Sequence, residues 1–340
     1  MRNKTEITIH DIADKLNLSA STVSRALKDS ELISKATRER IKKAAEELGY
    51  RPNIIASNLR TRRTNTIGMI VPLINRHFFS SVVSGVEEIA YEAGFAVSIA
   101  QSNDNYLKET RITQAFFNNR VDGIIISFAM ETTHFGHLRL ITESHIPLVM
   151  FDRITDEIDA SKIVVDDFAG GESATRHLIA RGCRNIAHVS GPLRLSIYKN
   201  RLNGYLSALN SAGLKPPHGG VLHNRLTRSD GESAIRQLLQ LTPVPDAIFC
   251  ANDTTALSII TWLRNTPYKV PGDIAIVGFS NEPFSELVTP SISTVSQPGY
   301  EMGKKAAELI IAQIKGDLPD HGFPTIVMPT ELILRESSLK

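Results

Sequence analysis

Two short apolar stripes at helical spacing, set back to back near the start of the chain, restrict what its first sixty residues can form. Ile12 and Leu16 lie four apart, as do Val23 and Leu27, so each segment between Thr8 and Leu27 carries one buried face. Asn17-Leu18-Ser19 breaks the pattern and supplies an N-cap, Ser19, whose hydroxyl accepts from the amides of the next turn. A third helix is expected from Ser34, its cap, through the stripe Ile41, Ala45 and Leu48 to Gly49, its stop. Three short helices on one core, the second crowded with small polar residues, form the helix-turn-helix pattern.

With Val23 and Leu27 turned inward, Ala20, Ser21, Ser24 and Arg25 face out. Ala20 and Ser21 occupy the first turn, where a recognition helix meets base edges, and Arg25 can fork onto a guanine. Thr22 and Ser24 are short donors suited to phosphate oxygens, which fix register rather than sequence. A plain solvated helix face is the competing reading. Beyond Tyr50, Pro52 separates a further piece in which Asn53 can cap a short helix to about Arg60, with Ile55, Ala56 and Leu59 on one side. That helix is too short to persist alone in water and needs a template, such as a minor groove, or else is simply a linker. Tyr50, Asn53, Ala56, Leu59 and Arg60 join the candidate DNA-facing set.

Charge is sorted along the chain. The whole carries 38 Lys and Arg against 36 Asp and Glu, a net of +2. Through Arg63 the count is 14 against 8, or +6, which leaves 24 against 28, or −4, for the remainder. A basic head on an acidic body fits a polyanion partner for the head alone. The polar N-terminus lacks a signal-peptide core and no apolar run approaches a membrane span, so a cytoplasmic protein without a membrane partner is expected. The two cysteines, Cys183 and Cys250, are expected to be buried thiols, and no spacing suggests a metal or a cofactor.

From Ile67 on, apolar runs alternate with longer helical stretches. The runs are Ile67–Val71, Ala96–Ala100, Gly123–Ser127, Leu148–Phe151, Ile163–Val165, Ile186–Val189, Ala247–Cys250 and Ile274–Gly278. That rhythm predicts parallel sheets covered by helices on both faces, in two similar halves with a ligand crevice at the carboxyl ends of the strands. Residues just after strands are the candidates to face it: Phe78, Phe79, Asp152, Asn252, Ser280 and Asn281, with Arg201 reaching in from a helix. Arg201 stands out because an unpaired arginine in a crevice invites an anionic or polyhydroxyl partner. Competing roles are caps or hinge partners for Asp152 and Asn252, and core for Phe79. Nothing points to an enzyme: no Gly-x-Gly-x-x-Gly follows the first run, no phosphate-cradling loop or nucleophile elbow occurs, and Gly170-Gly171 and Gly219-Gly220 read as turns.

Residues 8–72 closely resemble the LacI/GalR family of bacterial transcriptional regulators. The matching pieces are Thr8-Ile9-x-Asp11-Ile12-Ala13, Val23-Ser24-Arg25-x-Leu27, Thr37-Arg38-Glu39-Arg40, Glu47-Leu48-Gly49-Tyr50-x-Pro52-Asn53, Ala56-x-x-Leu59-Arg60 and Thr66-Ile67-Gly68-x-Ile70-Val71-Pro72. The likeness continues through Val121-Asp122-Gly123-Ile124-Ile125, Pro147-x-Val149-x-x-Asp152-Arg153, Arg201-x-x-Gly204-Tyr205, Ala251-Asn252-Asp253, Val277-Gly278-Phe279 and Thr294-Val295-x-Gln297-Pro298. It implies an all-α helix-turn-helix head (1–51), a hinge helix and linker (52–64) and an α/β two-lobed core built like periplasmic sugar-binding proteins (65–336). The implied lobes are 65–162 with 293–321, and 163–292 with 322–336, and Phe323–Leu334 would return one strand to the C-terminal lobe. It further implies that Ala20, Ser21 and Arg25 read bases and that Leu59 enters the centre of a near-palindromic operator. Phe78, Phe79, Asp152, Arg201, Asn252 and Gln297 match effector positions, with Ser280 standing where the family often has an aspartate. Leu195, Ile197 and Leu226 replace contacts that are polar or aromatic in some members. The implied function is a homodimeric, DNA-binding repressor controlled by a small molecule, a sugar or sugar derivative by first reading. The alternatives are a non-sugar metabolite, a protein co-regulator, or a solute receptor or enzyme with a DNA-binding head. No heptad tail follows Arg335, which argues against a coiled-coil tetramer.

Overall fold

Reciprocal hydrogen bonds between Thr8 and Asp11 start the first helix, a capping box that the sequence spells as Thr-x-x-Asp. The computed structural model describes residues 7–50, 63–317 and 322–340, and the chain divides into two compact units, Met1–Thr64 and Asn65–Lys340. In the first unit, α1 (Ile9–Leu16) ends on Asn17 in the left-handed region, α2 (Ala20–Ala26) is capped by Ser19, and α3 (Lys35–Leu48) by Ser34. Gly49 stops α3 with φ 69°, a conformation that suits glycine. Ile12, Ala13, Val23, Ala26, Ile41, Ala44 and Ala45 form the core. Leu16, Leu27 and Leu48, expected inside, are only half-buried at its rim. The seven-residue α2 ends before Leu27, so Ala26 takes the inner position. Asn53, Ala56, Leu59 and Arg60, and the short helix expected there, lie outside the described residues.

The second unit alternates strand and helix. Its first half runs β1 (Thr66–Val71), α4 (His77–Glu92), β2 (Ala96–Gln101), α5 (Tyr106–Asn118), β3 (Gly123–Ile126), α6 (Gly136–Glu143), β4 (Leu148–Phe151) and β5 (Ser161–Val165). The second half runs α7 (Asp167–Ala180), β6 (Ile186–Ser190), α8 (Ser196–Ser211), β7 (Val221–His223), α9 (Arg228–Leu238), β8 (Ala247–Cys250), α10 (Asp253–Leu263), β9 (Ala275–Phe279), α11 (Phe284–Leu287) and β10 (Ser293–Ser296). Then come α12 (Gly299–Lys315), β11 (Thr325–Met328), β12 (Glu331–Ile333) and a 3-10 turn over Glu336–Ser338. The sheets are ordered β2-β1-β3-β4-β5-β11 and β7-β6-β8-β9-β10-β12. The two orders are the same, so the lobes are copies of one doubly wound plan with equivalent switch points at β1/β3 and β6/β8. Every pairing is parallel except that of β12 with β10.

All eight expected strands are present, but the lobe boundaries move. β5 pairs with β4 and β11 through Val165, so 163–165 belong to the first lobe. β10 pairs with β9, which carries 293–296 into the second. Phe323–Leu334 holds two strands rather than one, β11 in the first sheet and β12 in the second, parted by Pro329. The chain therefore crosses near 166, 297 and 329 instead of 162, 292 and 322, because it leaves a sheet only where the ladder of hydrogen bonds ends. Cys183 and Cys250 are buried free thiols. Among the described residues, no helix is long and apolar enough to cross a membrane.

Each lobe closes on a pair of helices whose backbones touch through glycine. A Cβ on Gly85 of α4 would fall on the Tyr300 carbonyl of α12, and one on Gly303 of α12 on the Val82 carbonyl of α4. In the other lobe Gly171 of α7 meets the Arg201 backbone and Gly204 of α8 meets that of Phe168. Gly170 and Gly171, read as a turn, thus sit inside a helix, where close packing outweighs their poor helix propensity. Gly303→Ala should push α4 and α12 apart and destabilise the body by about 1–3 kcal/mol, read as a lower melting temperature with unchanged secondary structure.

Candidate functional site

The second helix of the head presents a narrower polar face than its sequence suggests. Ser19 is a hub: its hydroxyl accepts from the Thr22 amide at 3.1 Å and bonds the Ser21 and Thr22 hydroxyls at 2.9 and 2.8 Å. Thr22 and Ser24 are half-buried, and the Ala20 methyl packs against the core. Tyr50 also packs there, and burial raises its phenol pKa. Ser21 and Arg25 remain exposed, and the Arg25 guanidinium has no hydrogen-bond or ion-pair partner among the described residues.

In the body, all seven candidate effector residues line one cleft between the lobes: Phe78, Phe79, Asp152, Arg201, Asn252, Ser280 and Gln297. They converge because each follows the carboxyl end of a strand or reaches in from the helix after one. Phe78 and Phe79 meet edge to face at 5.2 Å and wall the cleft from the first lobe's core. Asp152 follows β4 in a left-handed conformation (φ 59°) and accepts from Ser127 Oγ at 3.2 Å, and burial raises its pKa. Ser280, at φ 106°, donates to Gln297 Oε1 at 3.1 Å, which leaves the buried Gln297 Nε2 without a partner. Non-glycine residues at positive φ are strained, and such strain gathers at functional sites. Asn252 is fully engaged: it caps α10 by accepting from the Thr255 amide at 2.9 Å and donates to the Leu226 carbonyl at 3.1 Å.

Arg201 differs most from expectation. It is 3% exposed and paired, with Nε donating to Asp167 Oδ1 at 2.7 Å and Nη1 to the Ala251 carbonyl at 2.8 Å. Its guanidinium lies 3.6 Å from the centre of the Phe279 ring. Among the described residues, Nη2 alone of its nitrogens has no hydrogen-bond partner.

Several cleft residues escaped the sequence reading. Tyr198 lies three positions before Arg201, hence on the same face of α8, a spacing that could have revealed it. Its ring covers Gly191 and its hydroxyl makes no hydrogen bond among the described residues. Arg153 donates to Asp104 and to the Phe128 carbonyl. Asp253 accepts from the Glu282 amide, Ser285 and Thr294, yet burial pushes its pKa up to about 7. Four arginines (Arg76, Arg153, Arg201, Arg225) share the lining with four carboxylates (Asp104, Asp152, Asp253, Glu282), so the formal charge cancels. Leu73, Met130, Ile197 and Leu226 supply an apolar wall. The lobes are tied across the mouth by Arg76 to Thr254, His77 N–H to Glu282, Arg194 Nε to the Met130 carbonyl at 3.0 Å, and Arg225 to Glu131 at 3.6 Å.

Replacing Arg201 strands a buried carboxylate. Arg201→Met should destabilise the body by about 3–5 kcal/mol, and adding Asp167→Leu should recover part of it in a double-mutant cycle of melting curves.

Comparison with known proteins places these features. Residues 8–53 match the profile of bacterial regulatory proteins, lacI family, and residues 175–338 that of a periplasmic binding protein-like domain. The chain is 32% identical over 332 residues to the HTH-type transcriptional repressor PurR of Vibrio atlanticus (strain LGP32), covering 97% of this chain and 98% of that one. A solved complex of the transcriptional regulator CelR with cellobiose shares 31% identity and a TM-score of 0.75, over 98% of this chain and 100% of that one. The Lac repressor dimer bound to operator and the anti-inducer ONPF superposes with a TM-score of 0.87 over 99% of this chain and 100% of that one. At 22% identity, that likeness speaks to the fold alone.

Proposed function

Because this chain belongs to the lacI family of bacterial regulatory proteins and is a DNA-binding transcriptional repressor, we propose that its grip on DNA is set by a small, uncharged, hydroxyl-rich compound held between the two lobes. The observation that carries this reading is the balance of the cleft. Equal numbers of arginines and carboxylates favour neither a polyanion nor a polycation, whereas Arg201 Nη2 and Tyr198 Oη, on two residues that line the cleft, have no hydrogen-bond partner among the described residues, and neither does the buried Gln297 Nε2. A compound whose hydroxyls both donate and accept answers these donors and the Asp152 carboxylate together. Cellobiose in the CelR complex is a compound of that class.

The protein acts as a homodimer, with Ser21 and Arg25 of two α2 helices meeting base edges in successive major grooves and Thr22, Ser24 and Tyr50 meeting phosphates. Ala20 lies beside the base edges without a polar group of its own. Asn53, Ala56, Leu59 and Arg60 form a hinge segment that orders on a minor groove between the half-sites, with Leu59 as its apolar wedge. The compound shifts the balance between closed and open lobes, and the ties across the cleft mouth are contacts that opening would break. Operator affinity follows that balance through a coupling free energy.

Two substitutions separate the DNA contacts. Arg25→Ala should cost about 1–3 kcal/mol at a single base position per half-site, seen as a flattened preference in binding to operator variants. Leu59→Ala should weaken binding to every variant alike, and unchanged affinity would remove the wedge. The cleft is tested by thermal shift of the full chain against glucose, ribose, cellobiose and adenosine, since a compound that binds only the folded state raises the melting temperature.

A further inference from the structure

The segment 129–132, which follows β3, is held from both sides of the cleft. On its own side the grip comes from the start of α5. The Met130 amide donates to Asp104 Oδ1 at 2.8 Å, Asn105 Nδ2 donates to Glu131 Oε2 at 2.9 Å, and the Ala129 amide donates to Glu109 Oε2. From the other lobe, Arg194 Nε donates to the Met130 carbonyl at 3.0 Å and Arg225 pairs with the Glu131 carboxylate at 3.6 Å. Met130 itself lines the cleft. Two of the ties across the mouth thus end on one short piece of backbone.

Glu109 is the centre of the grip on that piece, although it has no exposed surface. Besides the Ala129 amide it accepts from Thr132 Oγ1 at 2.9 Å and from His137 Nε2 at 2.8 Å, so it spans both ends of the segment and the start of α6. Among the described residues, that is the only hydrogen bond of the His137 ring. Burying a carboxylate is costly unless donors surround it. Here three donors do so, and its place in the first turn of α5 sets it where the helix dipole favours negative charge. The second lobe repeats the device. Asp253, also without exposed surface, accepts from the Glu282 amide at 2.8 Å and from the Ser285 and Thr294 hydroxyls, and Glu282 carries the tie to the His77 amide.

We infer that Glu109 is a positioning residue for the ties that join the lobes. It does not line the cleft and makes no bond across it among the described residues. It acts by holding 129–132 in the shape that presents the Met130 carbonyl to Arg194 and the Glu131 carboxylate to Arg225. Loss of its charge frees the Ala129 amide or the Thr132 hydroxyl, and the segment then relaxes away from the two arginines. This role is independent of which compound the cleft takes.

The test is a double-mutant cycle read as a distance. Nitroxide labels on Thr133→Cys and Arg228→Cys, exposed positions in the first and second lobes, report lobe separation by pulsed electron spin resonance. The full chain is used, diluted with unlabelled protein so that only distances within one chain are read, and the native thiols are buried. Removing the ties with Arg194→Met and Arg225→Met should lengthen the mean distance by about 2 Å or more. Glu109→Gln alone should shift it in the same direction, and should add nothing once both arginines are gone. Thr132→Val, which removes one donor to Glu109, should give a smaller shift and covers the case in which Glu109→Gln fails to fold. No shift from the arginine pair would overturn the inference, as would a shift from that pair with none from Glu109→Gln or Thr132→Val. A Glu109→Gln shift that persists in full without the arginines would show a general scaffold role and overturn it too.

Discussion

One buried guanidinium organises the second lobe and, through it, the cleft. Arg201 on α8 is bound to Asp167 at the start of α7, to the carbonyl of Ala251 at the end of β8 and to the ring of Phe279 at the end of β9. Those four elements meet at the switch point of the sheet, where the strand order reverses and the connecting loops part. Without a countercharge the arginine would not be stable at such depth, and without the arginine Asp167 would not be. The same residue lines the cleft, and its Nη2 has no hydrogen-bond partner among the described residues. Burial raises the pKa of Asp167 to about 6, and the Arg201 guanidinium beside it works in the opposite direction.

The glycine contacts explain how such a wall stays rigid. Gly171 brings α7 onto the Arg201 backbone itself, and Gly204, one turn further along α8, meets Phe168. The first lobe repeats the device with Gly85 and Gly303. Each of the two lobes is thus locked by a close helix pair, and the chain crosses between them near 166, 297 and 329. The second crossing carries Gln297, which lines the cleft.

Much of this was legible in the sequence, for identifiable reasons. Eight strands could be read because buried parallel strands are continuous apolar runs, and the cleft residues followed from their places after those strands. β7 and β10 were not legible: Val221–His223 is three residues long, and Ser293–Ser296 carries three hydroxyls among its four residues. Gly170-Gly171 was misread because helix propensity knows nothing of a neighbouring backbone. Arg201 was taken as unpaired because Asp167 lies 34 residues away and only the fold joins them. Tyr198 shares a helix face with Arg201, a usable signal, but an aromatic at that spacing reads equally well as core. In the head, the caps Ser19, Ser34 and Gly49 are local signals and stood where expected, whereas the rim positions of Leu16 and Leu27 depend on how three short helices pack.

We propose that occupancy of the cleft and binding of operator are one coupled equilibrium. The direct measurement is the reciprocal pair of affinities on the full chain: operator with and without saturating cellobiose or adenosine, and that compound with and without saturating operator. If the account holds, the two ratios differ from one and equal each other, as linkage requires, and both collapse to one in Arg201→Met, provided that variant folds. A compound that binds in the cleft yet leaves operator affinity unchanged would contradict it.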